Sequence, residues 1–175
     1  MKTISAFAFA LLLLVPGYSI AAAKTLHVTK SITINADAAK VWDVVKNFDG
    51  LNTWHPAIAK DEIVSGTNNK VGAVRLLTLK DGGTIKEKLL VYSADGHLFK
   101  YAILEGVLPV SSYTSNFAVT AAGKGKSTVT WSGNFKRKDV GAKPADNAND
   151  KTATDTMSAV YQAGLDNLKK IAEAK

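Results

Sequence analysis

From Pro56 onward the chain alternates polar and apolar side chains with period two for about eighty residues, then closes on one amphipathic stretch. A run of that kind is an antiparallel meander, and its turns are readable at 66–69, at Asp81-Gly82-Gly83, at Asp95-Gly96 and at 123–126. A polar segment with Gly141 and Pro144 follows at 139–150. Behind it Met157, Val160, Tyr161, Gly164, Leu165, Leu168 and Ala172 hold a helical stripe. Thr152 and Asp155 have the spacing of a helix start, and Lys169, Lys170 and Lys175 suit the negative end of that helix. Ahead of the meander, Ser31 to Ile34 alternates as a strand. Asn35 to Asp37 offers capping side chains, and Val41, Val44, Val45 and Phe48 form one face of a short helix that Asp49-Gly50 stops. One long amphipathic helix must bury its stripe against one face of a curved sheet, so the expectation is an α+β domain.

The first residues read differently. Lys2, an unbroken apolar run from Ile4 to Val15, Pro16-Gly17 and then Ala21-Ala22-Ala23 have the layout of a secretory signal peptide, residues 1–23, cut before Lys24. The apolar run is too short to span a bilayer, which takes roughly 20 residues. No stable membrane insertion is expected after cleavage, and the product is expected outside the cytoplasm. The remaining residues, 24–175, suit a single domain with one core. The chain has no cysteine, which excludes disulfides, thiolate chemistry and lipid attachment at the signal.

The formal net charge is +7, and +6 without Lys2. The lysines are scattered singly along strands and turns, with one cluster at Lys136, Arg137 and Lys138. That pattern does not read as a nucleic-acid surface. It suits steered docking onto an acidic partner, with the cluster and the 139–150 loop as the candidate surface.

Sorting the strands by face isolates two charges in apolar rows. Arg75 lies in the row Ala73, Arg75, Leu77, Leu79, and Glu87 in the row Ile85, Glu87, Leu89, Val91. With a three-residue turn pairing Lys80 with Thr84, Leu77 lies opposite Glu87 and Arg75 is its diagonal neighbour. Such a pair is either a structural ion pair or part of a wet cavity wall. Phe99, Tyr101, Tyr113, Phe117, Trp131 and Phe135 extend the inner face. The buried tyrosine hydroxyls need partners, so Tyr101 and Tyr113 are candidates for a cavity lining. The turn "NTWHP" sets Trp54 and His55 either as plugs of a core or at the mouth of a site.

The chain carries no G-x-S-x-G, H-E-x-x-H or P-loop pattern, and nothing in the spacing of His27, His55 and His97 proposes a metal site. No cofactor is expected. A His55–Glu87 acid–base pair is the one catalytic arrangement left open, without a nucleophile or oxyanion donor beside it.

The segments "ADAAKVWDVVKNFDGLNTWHPAI", "VGAVRLLTLKDGGTIKEKL", "YAILEGVLPVSSY", "VTWSGNF" and "YQAGLDNLKK" resemble, in that order, the START-like, Bet v 1-like superfamily of polyketide cyclases and lipid-binding proteins. The resemblance implies a helix-grip fold: a curved seven-stranded antiparallel sheet around a long C-terminal helix, with two short helices after the first strand and a cavity between. Within that superfamily the chain is most similar to exported MxaD-type proteins of methylotrophic bacteria. That likeness implies a periplasmic, non-enzymatic accessory role in methanol oxidation, beside methanol dehydrogenase and its cytochrome c. A small hydrophobic ligand in the cavity is compatible with it. The alternative is a cyclase- or dehydratase-like enzyme, or a lipid or small-molecule carrier, using the same cavity. By likeness to plant hormone receptors of the superfamily, Lys80, Asp81, Gly82 and Gly83 stand at a gate. Val107, Leu108, Pro109 and Val110 stand at a latch. The expected cavity residues are His55, Arg75, Glu87, Tyr101, Tyr113 and Trp131, with Trp54 plugging the helix end.

Overall fold

The structure, a computed structural model, describes residues 23–174; apart from Ala23, the proposed signal segment lies outside the described residues. Strand β1 (Leu26–Ile34) leads into helix α1 (Ala38–Val45) and a single 3₁₀ turn at Leu51–Thr53. Six strands follow: β2 (Ile58–Ser65), β3 (Val74–Leu79), β4 (Thr84–Ser93), β5 (Leu98–Gly106), β6 (Val110–Ala121) and β7 (Ser127–Arg137). A 3₁₀ turn at Asp146–Ala148 then precedes helix α2 (Asp150–Glu173). The strands form one seven-stranded antiparallel sheet in the order β1-β7-β6-β5-β4-β3-β2, gripping α2. No helix among the described residues is long and apolar enough to cross a membrane.

Helix α2 turns Ala153, Met157, Tyr161, Leu165, Leu168 and Ala172 into the core, a 3.6-residue stripe that buries most of its apolar surface. It starts earlier than the Thr152 pattern predicts. Asn149 is the cap, its side-chain oxygen accepting from the Thr152 backbone N–H at 2.9 Å. In α1 the inward face is Val41, Trp42 and Val45, with Phe48 beyond it, whereas Val44 is only half-buried. Trp42 takes that place because its ring reaches Tyr92, Phe99 and His97 across the sheet, stacking on His97 at 5.5 Å.

The helix rests mainly on β1 and β7. Its middle stands off from β3, β4 and β5, and the site lies in that gap. Bulges tune which side chains face inward, and one of them corrects a sequence-based row. An irregularity between Leu89 and Val91 turns Val91 to the outer surface, where it is 39% exposed, and brings Tyr92 toward α1. Another between Ile58 and Lys60 turns Asp61 inward, onto the row of Ile58 and Ile63. The β3–β4 hairpin also turns one residue earlier than expected. Thr78 pairs with Thr84 and Leu77 with Ile85, so Arg75 lies directly opposite Glu87 rather than diagonal to it.

Candidate functional site: an internal cavity walled by His55, Glu87 and three tyrosines

The "NTWHP" turn divides its two rings between packing and cavity. Trp54, 2% exposed, sits against Phe117 and Trp131 at 5.5 and 5.7 Å, and its carbonyl accepts from Asn167 Nδ2 of α2 at 2.8 Å. His55 is turned the other way, edge-on to Trp131, and forms part of the cavity wall. Its Nε2–H donates to the Val160 carbonyl of α2 (3.0 Å), and its Nδ1 accepts from the Ala57 backbone N–H (3.2 Å). Those partners set the tautomer and use both nitrogens. Burial lowers the pKa of the ring, the Val160 carbonyl offsetting this only in part, so His55 is held neutral. Gly164 makes the close approach of α2 possible. A Cβ there would stand 2.6 Å from His55 Cδ2 and 2.8 Å from Trp131 Cζ3.

The cavity encloses about 90 Å³. Its floor and walls are Leu77, Ile85, Glu87, Tyr101, Tyr113 and Trp131 from the sheet, facing Met157 and Tyr161 from α2. Toward solvent the lining passes to Leu79, Ile103, Leu108 and Val160, all partly exposed, and to exposed Ala57. This half-exposed apolar rim is the mouth.

Behind Glu87 lies a buried charge cluster. Arg75 donates from Nε (2.7 Å) and Nη2 (2.6 Å) to Glu87 Oε2, and from Nη1 to the Phe48 carbonyl and to Asp61 Oδ2 (3.3 Å). The guanidinium carbon lies 4.2 Å from the centre of the Phe48 ring, a cation–π contact in a dry setting. Burial works against the charge of Arg75, but Glu87 and Asp61 outweigh it and its pKa is raised. For Glu87, burial raises the pKa against the pull of Arg75. For Asp61, whose side chain is 0% exposed, burial raises it to about 6 even with Arg75 beside it. Asp61 Oδ2 also accepts from Leu51 N (2.9 Å), while Oδ1 has no partner.

The tyrosines form a second network on the same wall. Tyr113 OH lies 2.5 Å from Tyr161 OH and 3.4 Å from Tyr101 OH. Trp131 Nε1–H is shared between Tyr101 OH and Ser115 Oγ, each at 3.0 Å, and Ser115 donates to the Ser132 carbonyl. Burial pushes the Tyr101 and Tyr113 hydroxyl pKa values well up and that of Tyr161 to about 12, so all three stay protonated. Two backbone devices aim these rings. Ser112, at φ +49°, opens the bulge between Ser111 and Thr114 that turns Tyr113 inward. Gly133 of β7 leaves the space that the Tyr161 hydroxyl occupies.

Five of the six expected cavity residues therefore line it: His55, Glu87, Tyr101, Tyr113 and Trp131. Arg75 does not, because it is folded back under Phe48 and spends its donors on Glu87, Asp61 and a carbonyl. The two loops meet, with Val107 N donating to Thr84 O at 3.1 Å beside Gly83, but Leu108 alone of their eight residues reaches the cavity. Lys80 is exposed, Gly82 and Gly83 have no side chain to offer, and Asp81 turns back to accept from Gly83 N. The basic cluster also divides. Arg137 is tied down by Asp150 (2.8 Å) and by the Asp139 and Gly141 carbonyls, whereas Lys138 is exposed with its amine on the Gly106 carbonyl. Several wall groups were not expected on it, Tyr161 and Ile103 among them. Tyr161 reads from sequence as one more core position of the α2 stripe. Ile103 continues the inward row of Phe99 and Tyr101 by plain alternation, just ahead of the bulge at Leu104.

A seven-stranded sheet gripping a C-terminal helix over a closed-end apolar cavity defines a helix-grip, cavity-bearing protein. The family profile described as polyketide cyclase / dehydrase and lipid transport matches residues 25–173, and the chain belongs to that family. Among solved structures, the protein XoxI from Bacillus cereus is 29% identical with a TM-score of 0.73, over 83% of this chain and 94% of that one. An uncharacterised protein from Bacillus thuringiensis is also 29% identical, with a TM-score of 0.74, over 86% of this chain and 100% of that one. The Zhui aromatase/cyclase from Streptomyces sp. R1128 shares the fold at 19% identity and a TM-score of 0.66, over 86% and 94% of the two chains. A search of curated protein sequences finds no match.

Proposed function

We propose that the protein is a non-enzymatic binder of a small, largely apolar molecule, acting outside the cytoplasm as an accessory of methanol oxidation beside methanol dehydrogenase and its cytochrome c. The observation that carries the non-enzymatic part is His55. Its Nδ1 already accepts a backbone proton and its Nε2 proton is given to Val160, so the cavity's histidine offers no free base. The other polar wall groups are hydroxyls held neutral and a carboxylate engaged by Arg75. The accessory role rests on the likeness of the "WHP" turn, the "LPVSSY" stretch and the signal-like start to exported MxaD-type proteins. Family membership is compatible with that role and with a cyclase; a cavity of about 90 Å³ favours a small ligand over a polyketide chain.

The test is methanol-dependent reduction of cytochrome c by methanol dehydrogenase, with and without the purified protein, together with native mass spectrometry of the protein taken from its own cells. A faster reduction rate is expected. An unchanged rate, with a small molecule retained in the protein, would replace the accessory role by that of a carrier. Chemical conversion of that molecule on incubation would replace it by an enzyme.

A further inference from the structure

Tyr101, Tyr113, Tyr161 and Trp131 line the cavity, and their polar atoms are satisfied through a residue that does not line it. Ser115 sits behind them in the inward row of β6, between Tyr113 and Phe117, at 4% exposed. Its hydroxyl donates to the Ser132 carbonyl at 2.8 Å and accepts from Trp131 Nε1–H at 3.0 Å. It is also a hydrogen-bonding partner of Tyr101, Tyr113 and Tyr161. The three tyrosine protons then all have acceptors. Two lie in the Tyr101–Tyr113 and Tyr113–Tyr161 bonds, and the third has Ser115 Oγ. His55 spends both ring nitrogens on backbone groups. The buried polar side-chain atoms without a partner among the described residues are Asp61 Oδ1 and Ser127 Oγ, and neither residue lines the cavity. The surface left to a ligand is almost wholly apolar.

We propose that the cavity ligand is a hydrocarbon smaller than benzene, with no hydrogen-bonding group, and that Ser115 is the positioning residue that sets this preference by holding the tyrosine and indole donors away from the ligand. This rests on the reading of the protein as a binder and narrows it. Size follows from the cavity, about 90 Å³ against the roughly 150 Å³ apolar space that accepts benzene. The preference follows from desolvation, since a polar ligand gives up its water and finds no partner in exchange. Without the Ser115 hydroxyl, one tyrosine proton loses its acceptor inside the protein. All three tyrosines line the cavity, so that proton becomes available to a ligand oxygen.

The experiment compares 2-methylpropene, acetone and propan-2-ol, which share one branched skeleton and carry a methylene, a carbonyl oxygen or a hydroxyl on its central carbon. The alcohol is included because Arg75 meets Glu87 through Oε2 alone, and a hydroxyl would donate to Oε1. Binding of each to the purified protein is measured by NMR titration, then repeated on Ser115→Ala and Ser115→Thr. The parent should bind the hydrocarbon about a hundredfold more tightly than the ketone or the alcohol. In Ser115→Ala the hydrocarbon-to-ketone ratio should fall about tenfold, whereas Ser115→Thr, which keeps the hydroxyl, should retain the parent ratio. Hydrocarbon binding to the alanine variant shows that its cavity persists. If that variant does not fold, Ser115→Cys, a much weaker hydrogen-bonding group, takes its place in the comparison. A ketone or alcohol that binds the parent as tightly as the hydrocarbon would overturn the ligand class while leaving a binding cavity. A ratio unchanged by removal of the hydroxyl would overturn the role of Ser115. Binding of none of the three at millimolar concentration would overturn the binder reading itself.

Discussion

Asp61 is a carboxylate with no counterpart in the sequence pattern. Counted by twos from Ile58, it falls on the solvent face; the bulge between Ile58 and Lys60 moves it to the core side, where Arg75 is its nearest cation. Its pKa of about 6 in the folded protein, against 3.8 for the free side chain, means the folded state holds the proton more tightly. The stability this contributes is present below pH about 4 and is lost as pH rises to about 6, a change of about 3 kcal/mol at 1.36 kcal/mol per unit. Asp61→Asn stays neutral and keeps an oxygen for Leu51 N. Its melting temperature should match the parent near pH 4 and exceed it near pH 7, by on the order of 10 °C for that energy. Equal pH profiles for the two proteins would show that Asp61 titrates normally. Arg75 and Glu87, by contrast, were legible, because charges in two apolar rows of one hairpin have few alternatives to meeting. Removing one partner strands the other in a dry site. Glu87→Ala should cost about 3 kcal/mol, and Arg75→Met more, since it strands both Glu87 and Asp61. Chemical denaturation gives both values, and a smaller loss for Arg75→Met would mean that water reaches the carboxylates.

At the scale of elements, periodicity carried most of the fold. A period of two from β2 to β7 and a period of 3.6 in α2 reflect which faces are buried and point to an antiparallel meander against one helix, whereas the count of seven strands was what the family resemblance implied. What periodicity missed are the places where the backbone departs from it. The bulges at Ala59, Leu90, Leu104 and Ser112 each reset the phase of a strand by one residue, and those at Ala59 and Ser112 decide which side chain reaches the charge cluster or the cavity. Gly164 shows the same limit on a helix. Read from the stripe it is a weak helix former on the buried face, but in three dimensions it is the contact point of α2 with His55 and Trp131. Alanine ordinarily gains up to about 1 kcal/mol over glycine inside a helix. Here its methyl would overlap two rings held by their own hydrogen bonds, a strain of about 1–3 kcal/mol. Gly164→Ala should therefore destabilise in urea denaturation and disturb the His55–Val160 bond, visible in the His55 ring resonances. A more stable variant with unchanged resonances would mean that α2 has room to shift outward.

The whole molecule combines a buried charge cluster with a surface excess of positive charge, and the two have different uses. The inner cluster adds no net positive charge, because Arg75 is outnumbered by Glu87 and Asp61 within hydrogen-bonding distance. The +7 balance therefore belongs to exposed lysines, which act on a partner through solvent. Of the cluster proposed for docking, Arg137 is bound up with the start of α2 and the 139–150 loop, so reversing its charge would test the fold as much as the partner. Lys136 and Lys138 are the informative positions. The double variant Lys136→Glu, Lys138→Glu changes the net charge by four without removing an ion pair of the structure. If encounter with an acidic redox partner is steered, stimulation of cytochrome reduction should weaken severalfold in this variant at low salt. Raising the ionic strength should erase the difference, since charges are screened beyond about 8 Å at physiological salt. The melting temperature should stay within a few degrees of the parent, whereas Arg137→Ala should lower it and open the 139–150 loop to limited proteolysis. A double variant that stimulates as well as the parent at every salt concentration would move the docking surface away from this end of β7.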